Sequence, residues 1–181
     1  SFGVYSLVLS LYIFLVFFGG MGIQEGLLKK GSMCFATRDV NSIKAYFLRG
    51  IVFSFSITSI LGLFLIAIFN IFFENNPTIV DLFSLGVLLA LSTILFNVLD
   101  AFIRSQQKFI LFAFILTVKN FIAISLGYLL APEYGVKGLI ISELISLTTV
   151  FISALIFFIR PSDVTLYKDK SVFELISNGY Q

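Results

Sequence analysis

The sequence predicts an all-α integral membrane protein with about five transmembrane helices. Of its 181 residues, 59% are hydrophobic and 12% are charged, and the mean hydropathy is +1.05. Roughly a quarter of the residues of a soluble domain are charged. A chain this apolar therefore could not cover a water-facing surface with polar groups. No stretch alternates polar and apolar residues as the strands of a membrane barrel do, so the apolar residues indicate helices.

Five runs of the sequence are long enough to cross a bilayer, which takes about 20 apolar residues for roughly 30 Å of hydrocarbon. The runs cover 2–23, 51–73, 82–99, 109–130 and 138–159. Only Lys119 and Glu143 bring a charge into them. The prolines lie between or just after the runs, where helices are expected to end: Pro77, Pro132 and Pro161. Residues 1–160 are thus predicted to form a membrane domain, and 161–181 a connection toward a further helix.

The segment just before the second run has two interpretations. Residues 41–49 mix apolar residues with Asn41, Lys44 and Arg49. This pattern fits a helix that lies along the lipid headgroups before it turns into the bilayer. It fits equally well an ordinary cytoplasmic extension of the second transmembrane helix.

The distribution of basic residues predicts the orientation in the membrane. Counted over the successive connections and the tail, Lys and Arg number five, none, two, one and three. By the positive-inside rule, 24–50, 100–108 and 160–181 are cytoplasmic, and the membrane is the inner (plasma) membrane of the cell. Ser1 would then lie outside. One further helix before Ser1 would return the N-terminus to the cytoplasm, so we expect the chain to be a fragment of a larger protein.

The composition argues against several classes of function. The chain has no His and one Cys, so neither a disulfide framework nor a His-based metal site or general base is expected. A net charge of +2, without a basic cluster, does not favour nucleic acid as a partner. Nucleophile elbows, phosphate-binding glycine loops and metal-ligand spacings do not occur. The outer connections are too short for a catalytic loop. We expect no enzymatic activity, no cofactor and no metal.

Lys119 is the most informative residue of the sequence. It lies about 15 Å into the fourth run, near the middle of the bilayer. A central Lys costs about 3 kcal/mol on the insertion scale, so its side chain should face protein or a wet cavity rather than lipid. Two roles are equally consistent with that position. Lys119 is either a cation that binds an anionic substrate group or a member of a structural ion pair.

Glu143 is the natural partner for Lys119, but the predicted depths differ. A turn centred near Tyr134 would set Lys119 level with Thr149 and Glu143 level with Ser125. The lysine would have to reach outward to close that gap. Alternatively, Glu143 is a protonatable site for ion coupling, because burial raises the pKa of a carboxylate. The plainer reading is a partly hydrated or paired carboxylate near the outer boundary.

Two stripes of polar residues lie on single helix faces. The first belongs to the third run, with spacing i, i+4, i+7 and i+11, and consists of Thr93, Asn97, Asp100 and Arg104. Its two charged members are spaced so that they can satisfy each other. The second stripe is Ser142, Ser146, Thr149 and Ser153. Such stripes either pack helices together or line a hydrophilic cavity with Lys119, and the packing role is the commoner one. Close packing is also predicted for Gly19, Gly20 and Gly22.

Three stretches carry a resemblance to a known family. They are FGVYSLVLSLYIFLVFFGGMGIQEGLLKK (Phe2–Lys30), LFNVLDAFIRSQQKFILFAFI (Leu95–Ile115) and EYGVKGLIISELIS (Glu133–Ser146). They resemble, in order, the second helix, the fourth helix with its basic turn into the fifth, and the turn into the sixth helix of polysaccharide (lipid-linked oligosaccharide) flippases. That family belongs to the multidrug/oligosaccharidyl-lipid/polysaccharide exporter superfamily. The final residues VFELISNGYQ resemble the lead-in to a seventh helix.

The resemblance implies a carrier of 12–14 helices in two six-helix lobes. This chain would be the N-terminal lobe without its first helix, and the missing C-terminal lobe would be its partner. The implied substrate is an undecaprenyl-pyrophosphate-linked glycan, moved from the cytoplasmic to the outer leaflet. Substrate binding is then expected at Lys119 first, followed by Arg104, Lys108, Lys29 and Asn97. Ion coupling is expected at Glu143 or Asp100. The chain departs from the family at Gly20-Met21-Gly22, where many relatives have an acidic or amide residue.

Three other functions remain open. A drug/cation antiporter of the same superfamily would share the fold and couple through acidic membrane residues, for which Glu143 is available. A membrane glycosyltransferase or polymerase would need a sizeable outer loop. A purely structural membrane subunit would not need a lysine at the bilayer midplane.

Overall fold

The computed structural model describes residues 2–37, 39–73 and 77–158, and every regular element in these ranges is an α-helix. The six helices are α1 Phe2–Gly20, α2 Ile23–Ala36, α3 Val40–Phe72, α4 Pro77–Ser105, α5 Phe109–Tyr134 and α6 Val136–Phe158. Helices α1 and α2 belong to one span. The six helices therefore form five spans that are long and apolar enough to cross a membrane. The predicted fold class is confirmed.

The first span is interrupted where a single helix was predicted. The backbone turns at Met21 and Gly22, whose φ angles are 36° and 71°. Left-handed φ values of this kind cost a residue with a side chain about 1–2 kcal/mol, whereas glycine adopts them readily. Gly22 therefore serves the conformation of the break, and the packing role suggested for it stays a prediction. After the break, α2 buries Ile23 and Leu27 against the rest of the molecule.

Helix α3 resolves the two interpretations of residues 41–49. It runs without interruption from Val40 to Phe72, so this segment is an extension of the membrane helix and not a separate helix along the headgroups. Asp39 caps its N-terminus: the backbone N–H of Ser42 donates to Asp39 Oδ1 over 3.1 Å, and the Ser42 hydroxyl donates to Oδ2. Such a cap stabilises a helix by about 1 kcal/mol. It explains why the helix begins this far before the charge-free run.

Two prolines do not end helices as predicted. Pro77 is the first residue of α4, a position where its missing N–H leaves no bond unmade. Pro132 lies inside the last turn of α5, where the loss of one backbone bond affects little of the helix. Pro161 lies outside the described residues.

Helix α4 lies at the centre of the molecule and packs against α1, α2, α3 and α6. The largest core cluster joins α2, α3 and the second half of α4, and the ring of Phe47 stacks on that of Phe102 with centroids 4.3 Å apart. A second cluster joins α1, α3 and the first half of α4 around Phe83, which stacks on Phe69 at 4.1 Å.

Glycines allow α1 to touch α3, and α3 to touch α4. A Cβ added at Gly19 would lie 2.2 Å from Thr58 Oγ1, and one added at Gly62 would lie 2.4 Å from a Val87 methyl group. Between membrane helices, which gain no hydrophobic driving force from lipid, small residues permit the close contact that supplies van der Waals energy. The packing role predicted for Gly19 is confirmed. Gly20 meets only the end of the Gln24 side chain, 3.5 Å away.

Candidate functional site

Helices α5 and α6 form an antiparallel hairpin that is closed at its turn. Gly135, with φ 56°, ends α5, and its N–H donates to the carbonyl of Ala131 over 2.9 Å. Just beyond the turn a Cβ at Gly138 would lie 2.5 Å from the carbonyl oxygen of Leu130. One at Gly127 would lie 3.3 Å from the hydroxyl of Ser142. The two helices are thus in backbone-level contact near the turn.

An ion pair joins the two helices of this hairpin within the membrane-spanning part. Lys119 Nζ lies 2.5 Å from Glu143 Oε1, and the side chains are 14% and 36% exposed. The predicted register is close to the observed one, in which Gly127 faces Ser142. The lysine and glutamate side chains together bridge an offset of about 10 Å along the helices. The two residues pair despite the predicted difference in depth, as the interpretation of Glu143 as a paired carboxylate requires.

The surroundings of the pair are apolar. Next to Lys119 on α5, Val118 packs with Leu147 and Val150 of α6 and with Phe96 of α4 in a small cluster. Attraction between unit charges rises as the local dielectric constant falls, so the pair is held more tightly here than it would be in water. Lys119 thereby has the protein partner that a midplane lysine requires.

Away from the turn, α5 and α6 enclose a cleft with a volume of ≈ 480 Å³. Its walls are mostly hydrocarbon: Leu111, Phe114, Ile115, Val118 and Ile122 of α5, and Thr149, Val150, Ser153 and Ala154 of α6. The hydroxyl of Ser153 donates to the carbonyl of Thr149 over 2.8 Å. Its hydrogen-bonding need is thus met within the helix, and the cleft surface remains largely apolar.

The hydroxyl stripe of α6 has two different surroundings along its length. Near the turn, Ser142 and Ser146 are buried, and their hydroxyls donate to the carbonyls of Leu139 and Glu143, each over 2.8 Å. These two are helix-packing residues. Thr149 and Ser153 line the cleft instead.

On α4, the polar stripe makes one contact to α1 and one ion pair within the helix. Thr93 Oγ1 lies 3.2 Å from the hydroxyl of Tyr12, and Asn97 is half-buried. Asp100 and Arg104 form an ion pair, as predicted, with side chains 15% and 35% exposed. Within the described ranges, Asp100 Oδ1 and Arg104 Nε are buried and have no hydrogen-bond partner.

Four of the seven predicted site residues therefore form two separate ion pairs. The Arg104 guanidinium lies 5.6 Å from the ring centroid of Phe112, and Phe112 precedes Lys119 on α5 by about two turns. Lys108 and Lys29 are exposed on α5's N-terminal side and on α2. Among the described residues, no three His, Cys, Asp or Glu side chains form a metal site.

One inter-helix pair was not anticipated. Lys137 Nζ lies 3.5 Å from Asp81 Oδ2, joining α6 to the start of α4. Both residues fall in predicted outer connections, and their opposite charges were the only signal that could have suggested it. Asp81 is 67% exposed, so this contact lies at the surface.

Comparison with known proteins adds the family. The family model described as "Polysaccharide biosynthesis protein" matches residues 1–177. No curated protein and no solved structure gives a significant match. The match extends over all six described helices, including the break after α1, the α4–α5 turn and the hairpin with its ion pair. The chain is a multi-pass membrane protein with a role in polysaccharide biosynthesis or export, and it belongs to the polysaccharide biosynthesis protein family.

Proposed function

We propose that the chain is part of a carrier that flips a lipid-linked oligosaccharide from the cytoplasmic to the outer leaflet of the inner membrane. The observation that carries the proposal is the Lys119–Glu143 pair, whose members are the only charges in 109–130 and 138–158. A family role in polysaccharide biosynthesis or export supplies the class of cargo. The carrier is not an enzyme, and it needs no cofactor or metal.

The pair supports this function because burying two charges costs free energy and does not pack the helices better than apolar side chains would. Replacing a buried ion pair by apolar residues of similar volume is often neutral or stabilising. Charged residues within membrane spans therefore commonly mark a substrate or ion pathway. A pyrophosphate can take the place of the Glu143 carboxylate on Lys119, since both are oxyanions. The lysine would then hold the phosphate where lipid alone offers it no partner.

The other basic residues fit a route toward Lys119. Lys29, Lys108 and Arg104 lie in or beside connections predicted to be cytoplasmic, where an undecaprenyl-pyrophosphate-linked glycan would arrive. Asn97 is half-buried on the α4 face that carries Asp100 and Arg104, and its amide can donate to a sugar or phosphate oxygen. The opposite wall of the cavity would come from a C-terminal lobe outside this chain.

A drug/cation antiporter is the second candidate, with Glu143 or Asp100 as the coupling group. Both carboxylates lie in ion pairs, with Lys119 and Arg104 respectively. Each ion pair already gives its carboxylate a cationic partner within the chain. Ion pairing thus supports a structural or exchangeable role for them over proton coupling.

The decisive experiment exchanges the charges of the pair in the full-length carrier, in cells that need it for surface glycan. Lys119→Arg should keep substantial export, and Lys119→Gln should lose most of it at normal membrane abundance. Lys137→Gln is the matched control, because it removes a lysine from the exposed pair with Asp81. It should export normally. Surface glycan and membrane abundance are measured side by side.

A double change separates substrate binding from scaffolding. If Lys119 only neutralises Glu143, then Lys119→Met alone strands a carboxylate. Lys119→Met with Glu143→Met would then restore both folding and export. Under the proposal the double variant folds and still fails to export. Recovery of export by the double variant would move Lys119 from the site to the scaffold.

A further inference from the structure

We infer that the α5–α6 cleft binds the first isoprenyl units of the substrate's lipid, with the attached phosphate displacing Glu143 from Lys119. This inference rests on the proposed function for the identity of the lipid. The α5–α6 hairpin would hold the hydrocarbon chain, and Glu143 would compete with the phosphate for Lys119.

The shape of the cleft favours a single chain. Its α5 wall extends from Leu111 to Ile122, about 17 Å along the helix. Its volume of ≈ 480 Å³ lies within the range of about 300–1,000 Å³ typical of ligand sites. It is bounded by two helices that touch near the Gly135 turn and stay packed along the cleft, where Ile115 and Val118 pack against the cluster that holds Val150. A narrow cleft of this kind accepts one hydrocarbon chain more readily than the two adjacent chains of a diacyl phospholipid.

Glu143 lies on the turn side of this cleft, and Lys119 lies beside the cleft on α5, between the lining residues Val118 and Ile122. On α6, Glu143, Leu147, Val150 and Ala154 follow one another at i, i+4, i+7 and i+11, which places them on one face. The last two line the cleft. On α5, Lys119 lies one turn beyond the cleft residue Ile115. A cation thus lies directly beside an apolar cleft, and an isoprenoid phosphate needs both of these neighbours.

The exposures of the two side chains indicate which one leaves. The Glu143 side chain is 36% exposed and the Lys119 side chain 14%. The glutamate can therefore turn toward solvent or a cavity while the lysine stays at the cleft. A phosphate brings more charge and more acceptor oxygens than a carboxylate, so it competes well for the same ammonium group. In this scheme Glu143 keeps Lys119 neutralised until the lipid arrives.

Binding to the purified full-length carrier tests the site without requiring transport. The protein is placed in phosphatidylcholine nanodiscs and titrated with a polyisoprenyl phosphate, the corresponding polyisoprenol and phosphatidylglycerol. Native mass spectrometry measures occupancy. Polyisoprenyl phosphate should bind most tightly. Equal competition by phosphatidylglycerol would overturn the inference, because the cleft would then be an ordinary lipid groove.

Matched variants locate the chain and the phosphate. Ser153→Phe fills the cleft from an exposed position, whereas Ser125→Phe makes the same change on an exposed part of α5 outside it. Ser153→Phe should weaken binding about tenfold or more, as expected for misfit in an apolar pocket, and Ser125→Phe should not. If Ser153→Phe is not recovered in membranes, Ser153→Leu replaces it. Equal binding by the cleft variant and the Ser125→Phe control would overturn the tail site.

The charge variants complete the test. Lys119→Gln should abolish the preference for phosphate over alcohol, and Glu143→Gln should strengthen phosphate binding several-fold because the competitor is gone. Weaker binding by Glu143→Gln would refute the displacement. These outcomes are distinct from failure of the proposed function, which would appear as normal surface glycan from the Lys119→Gln carrier whatever its binding.

Discussion

The four-helix part, α1–α4, and the hairpin, α5–α6, are built on different principles. Helix α4 buries much of its length between its neighbours, including Val98, Leu99 and Ile103, whereas α5 buries only Gly127 among its described residues. Glycines bring the helices of the four-helix part together at several crossings. The hairpin is packed along its length and carries a cleft between α5 and α6. The four-helix part is thus suited to be a stable scaffold. The hairpin has exposed surface that is available to a ligand or to another lobe.

The ion pairs of the two regions show the same difference. Asp100 and Arg104 belong to one helix, one turn apart, and their pairing stabilises α4 locally. Lys119 and Glu143 belong to different helices, so breaking their ion pair removes a contact between α5 and α6. Substitutions in the four-helix part should therefore lower stability. Substitutions at the hairpin pair should alter binding and export first.

The largest expected effect is at a glycine of the four-helix part. Gly62→Ala would place a Cβ 2.4 Å from a Val87 methyl, and that stiff, buried side chain cannot move aside easily. Overpacking should cost about 2–3 kcal/mol in stability. In the hairpin, Gly127→Ala meets its nearest neighbour, the Ser142 hydroxyl, at 3.3 Å and should stay within about 1 kcal/mol of wild type. Thermal unfolding of both variants in detergent measures the difference. Equal midpoints would remove the distinction between the two regions.

A smaller loss is expected from Asp100→Ala. It leaves the Arg104 guanidinium without its carboxylate, although the ring of Phe112 and partial exposure to solvent remain. The expected loss of stability is about 1–2 kcal/mol, below the full value for a buried charge-assisted bond. Export per folded molecule should be unchanged. Normal abundance with lost export would instead place Asp100 in the transport pathway, as the ion-coupling prediction had it.

The smallest effect is expected at the turn that connects the two regions. Gln107 has φ 58°, and its N–H donates to the Arg104 carbonyl while that of Lys108 donates to Ile103, the bonding pattern of a Schellman cap. Gln107→Gly should raise stability by about 0.5 kcal/mol, because glycine adopts this φ without strain. Gln106→Gly, next to it, should lower stability instead. Chemical denaturation of both variants checks the sign, and a loss from Gln107→Gly would contradict it.

The sequence predicted the helices better than their ends. Runs such as 109–130 are recognisable because each is by itself long enough to cross the bilayer as a helix. Their ends depend on local chemistry that hydropathy does not register. Asp39 lengthens α3 by capping it, and Pro77 begins a helix that was expected to start after it. The break at Met21–Gly22 lies in a glycine-rich stretch that was interpreted as a packing surface, although glycines also mark the ends of helices.

Prediction of the site was limited by side-chain reach. Lys119 and Glu143 were both identified, because charges stand out in apolar runs. Their pairing was doubted because levels were compared at the backbone, whereas two long side chains span several ångströms of offset. The cleft could not be predicted, since it depends on how the side chains of α5 and α6 pack against each other. The orientation in the membrane stays a prediction.

The length of α3 implies that one part of the protein is surrounded by lipid and another part by headgroups and water. Its charge-free part, 51–72, measures about 33 Å and is long enough to fill the hydrocarbon layer alone. Residues 40–50 then stand among headgroups and water, and with them the core around Ile43, Phe47 and Phe102. At that end water drives apolar side chains together, whereas within the lipid only contact between helices does so. Urea, which acts through water, should therefore loosen this end of the molecule while the lipid-embedded crossings persist.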